Sequence, residues 1–298
     1  MSPDSVSGAG ATPPTETWTP SGYELNRRAT RRGQNRRRVA IAATSSVVVI
    51  GGLTAVVLRS SGWPVVRQTF FDVFFGRTVL PLVWDGFKVD LLLVVVATFL
   101  IAILALTLAL VRTSTAPALA PFRILATVYV DIFRGTPLIL VIYLIGFGVP
   151  ALNLAVISSA DVAVYGTAAI VATYSAYVAE VIRSGILSVH PSQRAAARSL
   201  GLSPAKTMRH VVLPQGLRRV VPPLLNDFVS LLKDVALVSI VGVVEGVRVA
   251  QVQADKAFNY TPYVVVSILF LIVTIPLTRI TDRVLIRSIT RQNAGGTA

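Results

Sequence analysis

HPSQRAAARSLGLSPAKTMRHVVLPQ, residues 190–215, is a polar and basic segment held between two long apolar runs. Pro191 suits the first turn of a helix, and Gly201 is placed to end that helix in a left-handed conformation. Ser203 followed by Pro204 supplies an N-cap and a first residue for a second helix. That helix is expected to run through Met208, Val211, Val212 and Leu213, with Pro214 closing it. The segment reads as two short helices joined by a tight turn and tied to a membrane at both ends. It looks like a DNA-binding helix-turn-helix, but it is too short to supply its own core. An inert loop is a second reading. The preferred third reading is a docking element. Ala195, Ala196 and Ala197 let a partner's groove approach the backbone, and the flanking arginines add polar contacts.

The runs on either side of this insert point to lipid as the solvent. Of 298 residues, 53% are hydrophobic and 14% charged, against about 25% charged in a soluble domain. There is no Cys, which excludes disulfides and thiolate metal sites, and His190 and His210 are the only histidines. No metal site and no catalytic residue is therefore expected. Toward the amino terminus, 162–182 reads as a fourth span. The apolar region 119–150 is interrupted by Asp131 and by Arg134-Gly135-Thr136-Pro137, where a bend is expected. It reads as an interfacial helix up to 133 and a third span over 137–148. A second span covers 89–111. Residues 63–87 mix aromatics (Trp63, Phe70, Phe71, Phe74, Phe75 and Trp84 among them) with Arg67, Asp72, Arg77 and Asp85, as in a segment lying in the outer interface. Residues 39–58 form an uncleaved anchor helix, too long for a signal-peptide core. Before it lie a Ser-, Thr-, Pro- and Gly-rich stretch and a cluster of seven arginines, read as a disordered tail over 1–38. Beyond the insert, 220–244 and 263–285 are the fifth and sixth spans.

Charge then sets the orientation. With both termini inside, the cytoplasmic segments hold the tail cluster, Arg112, Arg123, Arg183, Arg194, Arg198, Lys206, Arg209, Arg218, Arg219, Arg283, Arg287 and Arg291. The outer segments hold only Arg59, Arg67, Arg77, Lys88, Arg248 and Lys256. This is the asymmetry that orients membrane proteins. It accounts for the net charge of +14 without nucleic acid as a partner.

The insert resembles the cytoplasmic EAA loop of importer permeases of the ATP-binding cassette class. Ala196, Ala197, Gly201, Leu213 and Pro214 match its pattern, while Ala195 stands where the family has Glu. That departure removes the loop's acidic contact to the ATPase but keeps its helical docking shape. YVDIFRGTPL at 129–138 is similar to the Tyr-x-Glu-x-Phe-Arg-Gly-Thr-Pro-Leu signature of the polar amino-acid permeases (histidine, glutamine, glutamate, arginine and opine type). YVAEVIRSG at 177–185 and LLKDVALVSIVGV at 231–243 resemble two further segments of that group. The resemblance covers roughly 80–286 and implies an all-α, type I importer transmembrane domain with a five-helix core. Residues 39–58 would then be an extra helix, 59–79 an external interfacial segment and 287–298 a cytoplasmic tail. It further implies a multi-pass subunit of the cytoplasmic membrane. Its partners would be a cytoplasmic ATPase dimer, a second permease subunit, an extracytoplasmic amino-acid-binding protein and the lipid bilayer. No Gly-rich phosphate loop ending in Gly-Lys-Ser/Thr is present. The chain is thus not expected to be an enzyme, and ATP and Mg would sit on the ATPase.

Charges inside spans mark pathways or pairs. Asn226, Asp227, Ser230, Lys233 and Asp234 recur at helical spacing and are expected on one stripe of the fifth span. They read either as an internal network, with Lys233 neutralised by Asp234 or Asp227, or as a lining of the substrate route. Thr173, Tyr177, Glu180 and Ser184 form a second stripe, in which Glu180 is either solvated or on the route. Asp131 and Arg134 are expected to orient the bend. Two rival functions use the same residues differently. An ion-coupled secondary transporter would use the intramembrane Asp and Lys, though no inverted repeat is visible. A membrane-tethered regulator would use the helix-turn-helix look-alike.

Overall fold

The computed structural model describes residues 21–154 and 157–295, and those residues are helical almost throughout, with no strand among them. α1 (Gly22–Arg59) begins where the Ser21 hydroxyl accepts a hydrogen bond from the backbone N–H of Glu24, 3.3 Å away. Ser followed three residues later by Glu is a helix-start signal, and Arg, Leu, Ala and Gln are good helix formers. Residues 22–38, expected to be disordered, are therefore helical and continuous with the apolar part of α1. The rest of that expected tail, 1–20, lies outside the described residues. α1 belongs to one compact unit, Met1–Pro64, and its apolar stretch buries none of its own side chains.

The second unit is Val65–Ala298. After α2 (Trp63–Phe70), Asp72 caps α3 (Val73–Thr113) by accepting from Phe75 N–H at 2.9 Å. α3 therefore starts well before the expected 89, and the external segment 59–79 is split between α2 and α3. Its 41 residues extend about 60 Å, roughly twice the hydrocarbon thickness. α4 (Ala120–Gly135) ends at the expected break. α5 (Leu138–Tyr143), a π turn (Leu144–Gly148) and α6 (Val149–Ala151) follow at a bend of 109°. Then come α7 (Val162–Leu187), α8 (Pro191–Ser199), α9 (Pro204–Thr207), a π turn (Met208–Val212) and α10 (Leu213–Asp234). A 3-10 segment (Val235–Val241), α11 (Gly246–Ala257) and α12 (Thr261–Gly295) complete the order.

Among the described residues four helices are long and apolar enough to cross a membrane, Arg37–Arg59, Trp63–Thr113, Val162–Leu187 and Thr261–Ile286, and the bent pair makes a fifth if it is counted as one span. The remaining expected span corresponds to α10, which ends at Asp234 rather than continuing helically to 244. The core is a close α3–α7 pair. Ala97, Ala105 and Ala109 on α3 and Ala169, Ala176 and Ala179 on α7 are fully buried. Small residues one turn apart let two backbones approach where lipid offers no hydrophobic drive. α4, α5 and α10 complete this core, while Val79 and Val83 of α3 pack with Ala250 of α11 and Val266 of α12.

Candidate functional site

The 190–215 insert folds as two helices around a left-handed glycine. His190 caps α8 through Nδ1, which accepts from Ser192 N–H at 3.2 Å. Gly201 has φ +84°, and Leu202 N–H donates back to the Ala197 carbonyl at 3.2 Å, closing the helix end. The Ser203 hydroxyl caps α9. Ala195 and Ala196 face solvent and Ala197 is buried. One expectation fails: Leu213 and Pro214 do not close the second helix. The π turn leads straight into α10, with exposed Pro214 in its first turn, where the hydrogen-bond register shifts from π to α. The helical path from Pro204 to Asp234 is unbroken.

The insert is tied down at its base. Arg194 Nη2 donates to the Ile186 carbonyl at 2.6 Å, and Arg219 Nη1 donates to the carbonyl and hydroxyl of Ser188. Beside these bonds α7 and α10 cross at two glycines. A Cβ on Gly185 would sit 2.7 Å from the Gly216 carbonyl oxygen, and one on Gly216 would sit 3.0 Å from Gly185 backbone.

The polar residues of α10 form two stripes, not one. At 100° per residue, Asn226, Ser230 and Lys233 share one face, and Asp227 and Asp234 share another a quarter-turn away. Asn226 and Lys233 are exposed, and Lys233 makes no ion pair among the described residues. The expected neutralisation by Asp227 or Asp234 is thus absent. Asp234 accepts from the Tyr174 hydroxyl at 2.7 Å. Asp227 borders an apolar cavity of about 330 Å³ shared with Tyr174, Ile101 and Phe228. On α7, Thr173 is buried while Tyr177 and Ser184 are exposed. Ser184, Ser188, Arg219 and Pro223 line one cleft, so the exposed stripes of α7 and α10 adjoin at the ends nearest the insert.

Glu180 is not merely solvated. Its Oε2 accepts from Arg112 Nη1 at 2.8 Å and Arg183 Nε at 2.9 Å, its Oε1 from Arg183 Nη2 at 2.5 Å, and Arg134 Nη1 lies 4.0 Å away. It therefore clamps the ends of α3 and α4 to α7.

The sequence pattern of the family described as binding-protein-dependent transport system inner membrane component matches residues 115–290, which includes the bend, the Glu180 clamp's α7 side and the whole insert. The chain belongs to that family. A probable amino-acid ABC transporter permease of Sinorhizobium fredii is 36% identical over 216 residues, covering 71% of this chain and 90% of that protein. An arginine transport system permease of Bacillus subtilis is 32% identical, covering 68% and 92%. A probable glutamine ABC transporter permease of the same organism is 37% identical, covering 65% and 87%. A crystal structure of an amino acid ABC transporter with histidines superposes with a TM-score of 0.63 at 30% identity, covering 71% of this chain and 96% of that one. The inward-facing MetNI methionine transporter shares the fold, with a TM-score of 0.54 at 20% identity. The fold is thus that of a type I importer transmembrane domain.

In this family member the Arg134–Pro137 signature forms a corner. Gly135 ends α4, Thr136 Oγ1 donates to the Ile132 carbonyl at 2.8 Å, and Pro137 precedes α5. The Tyr177 hydroxyl donates to the Arg134 carbonyl at 3.3 Å, and Arg134 itself reaches toward Glu180.

One pair in the permease escaped the sequence reading altogether. Asp90 on α3 and Glu245 before α11 are 1% and 0% exposed. Glu245 accepts from the backbone N–H groups of Val247 (2.6 Å) and Arg248 (2.7 Å), capping α11, while Asp90 Oδ2 accepts from Gly246 N–H at 3.1 Å. Burial pushes the Glu245 carboxyl above its ordinary range. The available signal was an Asp one residue into an otherwise uncharged run.

Proposed function

We propose that this chain is the membrane-spanning subunit of an ATP-driven importer of polar amino acids of the glutamate, glutamine, arginine and histidine class. Family membership supports import, and relatives named for arginine and glutamine transport support the substrate class. The observation that carries the mechanism is the unbroken helical path from the insert into the polar stripe of α10. A push on α8 and α9 is carried into α10 without a break in the chain of helical turns, through a π turn at Met208–Val212 and past Pro222 and Pro223. The Gly185–Gly216 crossing is the close contact about which α10 would turn against α7.

In this reading the exposed alanine face of α8 meets one subunit of a cytoplasmic ATPase dimer, which holds the ATP and Mg. A second permease subunit covers the exposed stripes of α7 and α10. Tyr177, Asn226, Ser230 and Lys233 then line the route, and unpaired Lys233 offers a cation to the substrate's carboxylate. Asp227, Asp234 and Glu180 serve packing within the subunit. An extracytoplasmic binding protein delivers the amino acid, and both termini lie in the cytoplasm of a cell whose inner membrane holds the complex.

Deleting residues 195–201 tests this. Membrane insertion should persist, while uptake of labelled amino acids and co-purification of the ATPase should vanish. Uptake that survives the deletion, or that continues after ATP depletion, overturns the coupling role.

A further inference from the structure

A cleft of about 650 Å³ separates the insert from the α3–α4 turn. Its floor includes Leu110 and Val111, at the end of the second span, and Met208. Its wall includes Arg194, Arg198 and Thr207, and none of the residues lining it is acidic. Nor does any Asp or Glu occur from residue 181 to 226. Two of these polar groups are left unpaired inside the fold. Thr207 is 5% exposed and its Oγ1 has no hydrogen-bond partner among the described residues. Arg194 spends Nη2 on the Ile186 carbonyl, and its buried Nε has no partner among the described residues. Buried unpaired donors are costly and call for an occupant.

Arg194 and Arg198 are one helical turn apart. At 100° per residue they sit opposite the arc of Ala195, Ala196 and Ser199 on α8, with Arg194 half-buried and Arg198 exposed at the rim of the cleft. The cleft is thus a second face of the insert, turned toward the end of α3 and the α3–α4 turn, and in the proposed complex the ATPase can grip the first face without covering it.

We propose that this cleft binds the phosphate of an anionic phospholipid from the cytoplasmic leaflet. Guanidinium forks match phosphate oxygens, and the Thr207 hydroxyl supplies a further donor. The apolar floor at the end of a span suits the glycerol and first acyl carbons, which a free phosphate ion lacks. Basic pockets at this depth on the cytoplasmic side are where headgroups bind. A bound headgroup would pin the insert to the leaflet. The inference takes from the proposed function only the side of the membrane on which the insert lies, and lipid counting reads it independently of transport.

The test is native mass spectrometry of the full chain released from bilayers of equal phosphatidylglycerol and phosphatidylcholine. Wild type should retain one phosphatidylglycerol with about tenfold preference. R194Q/R198Q should lose that preference, and R209Q, at an exposed arginine of the same insert, should keep it. T207V, which removes one buried hydroxyl at constant volume, should weaken retention about threefold; it carries the test if the double variant does not fold. In pure phosphatidylcholine, millimolar inorganic phosphate should not bind. Equal retention of both lipids by wild type, unchanged retention in T207V and in any folded R194Q/R198Q, or stable uptake of free phosphate each overturns the proposal.

Discussion

Glu180 is the residue on which three helices depend. Arg112, whose side chain is 11% exposed, has it as its ion-pair partner. Removing one member of a largely buried ion cluster strands the others, which costs more than the cluster contributes when intact. Glu180→Ala should therefore lower stability by about 2–3 kcal/mol, read as a drop in the unfolding midpoint in detergent. Adding Arg112→Leu should recover part of that loss, because the stranded cation is gone. A double variant less stable than the single one would deny the clamp. The Asp90–Glu245 pair makes an opposite pattern. Glu245→Ala removes the acceptor of two backbone N–H groups at the start of α11 and should cost about 1–2 kcal/mol. Asp90→Asn keeps an acceptor for Gly246 N–H at nearly constant volume, so it should be nearly neutral in the same measurement. Neither arrangement could be read along the chain. Glu180 stood out as a charge in a span, but Arg112 is 68 residues away. Asp90 and Gly246 are 156 apart, and only the packing of α3 on α11 brings them together.

The long apolar helices were legible, because about 20 uncharged residues have few other fates. So were the two helices of the insert, whose caps and left-handed glycine are local chemistry. What failed was the reading of their ends. Pro214 looks like a stop, yet at the first turn of α10 after a π turn it continues the helix. Val220–Val244 looks like one uniform span, yet the α-helix gives way at Asp234 to a 3-10 segment ended by Gly242 at φ +100°. Stop signals depend on the register of hydrogen bonds already made, which periodicity does not report. The α7–α10 crossing is of the same kind, since neither glycine is marked as a contact until the helices are placed. Gly185→Val should force the backbones apart and cost about 3 kcal/mol or prevent folding. Gly52→Val in α1, where a Cβ meets nothing within 4 Å, is the matched control and should fold normally. Equal behaviour of the two variants in detergent gel filtration would remove the crossing from the account.

At the scale of the whole molecule, two properties were fixed by different parts of the chain. Packing belongs to residues from α3 onward: the buried core lies there, and the family match begins at 115. In the proposed topology, orientation would draw also on the arginines at 27–38, which stand before the apolar run of α1. α1 buries none of its apolar stretch within its own unit. Orientation without it must come from the basic segments that remain, 112–123, 183–219 and 279–291, all on one side of the proposed topology. A chain begun at residue 61 should therefore insert with its first residue outside, accumulate to a lower level and transport at a rate per inserted molecule close to that of the full chain. Protease accessibility of the insert from the cytoplasmic side, measured on the same vesicles, separates a topology failure from a functional one. Correct insertion with retained ATPase but no uptake would place α1 in the transport machinery. An inverted insert would show that the amino-terminal arginines alone hold the orientation.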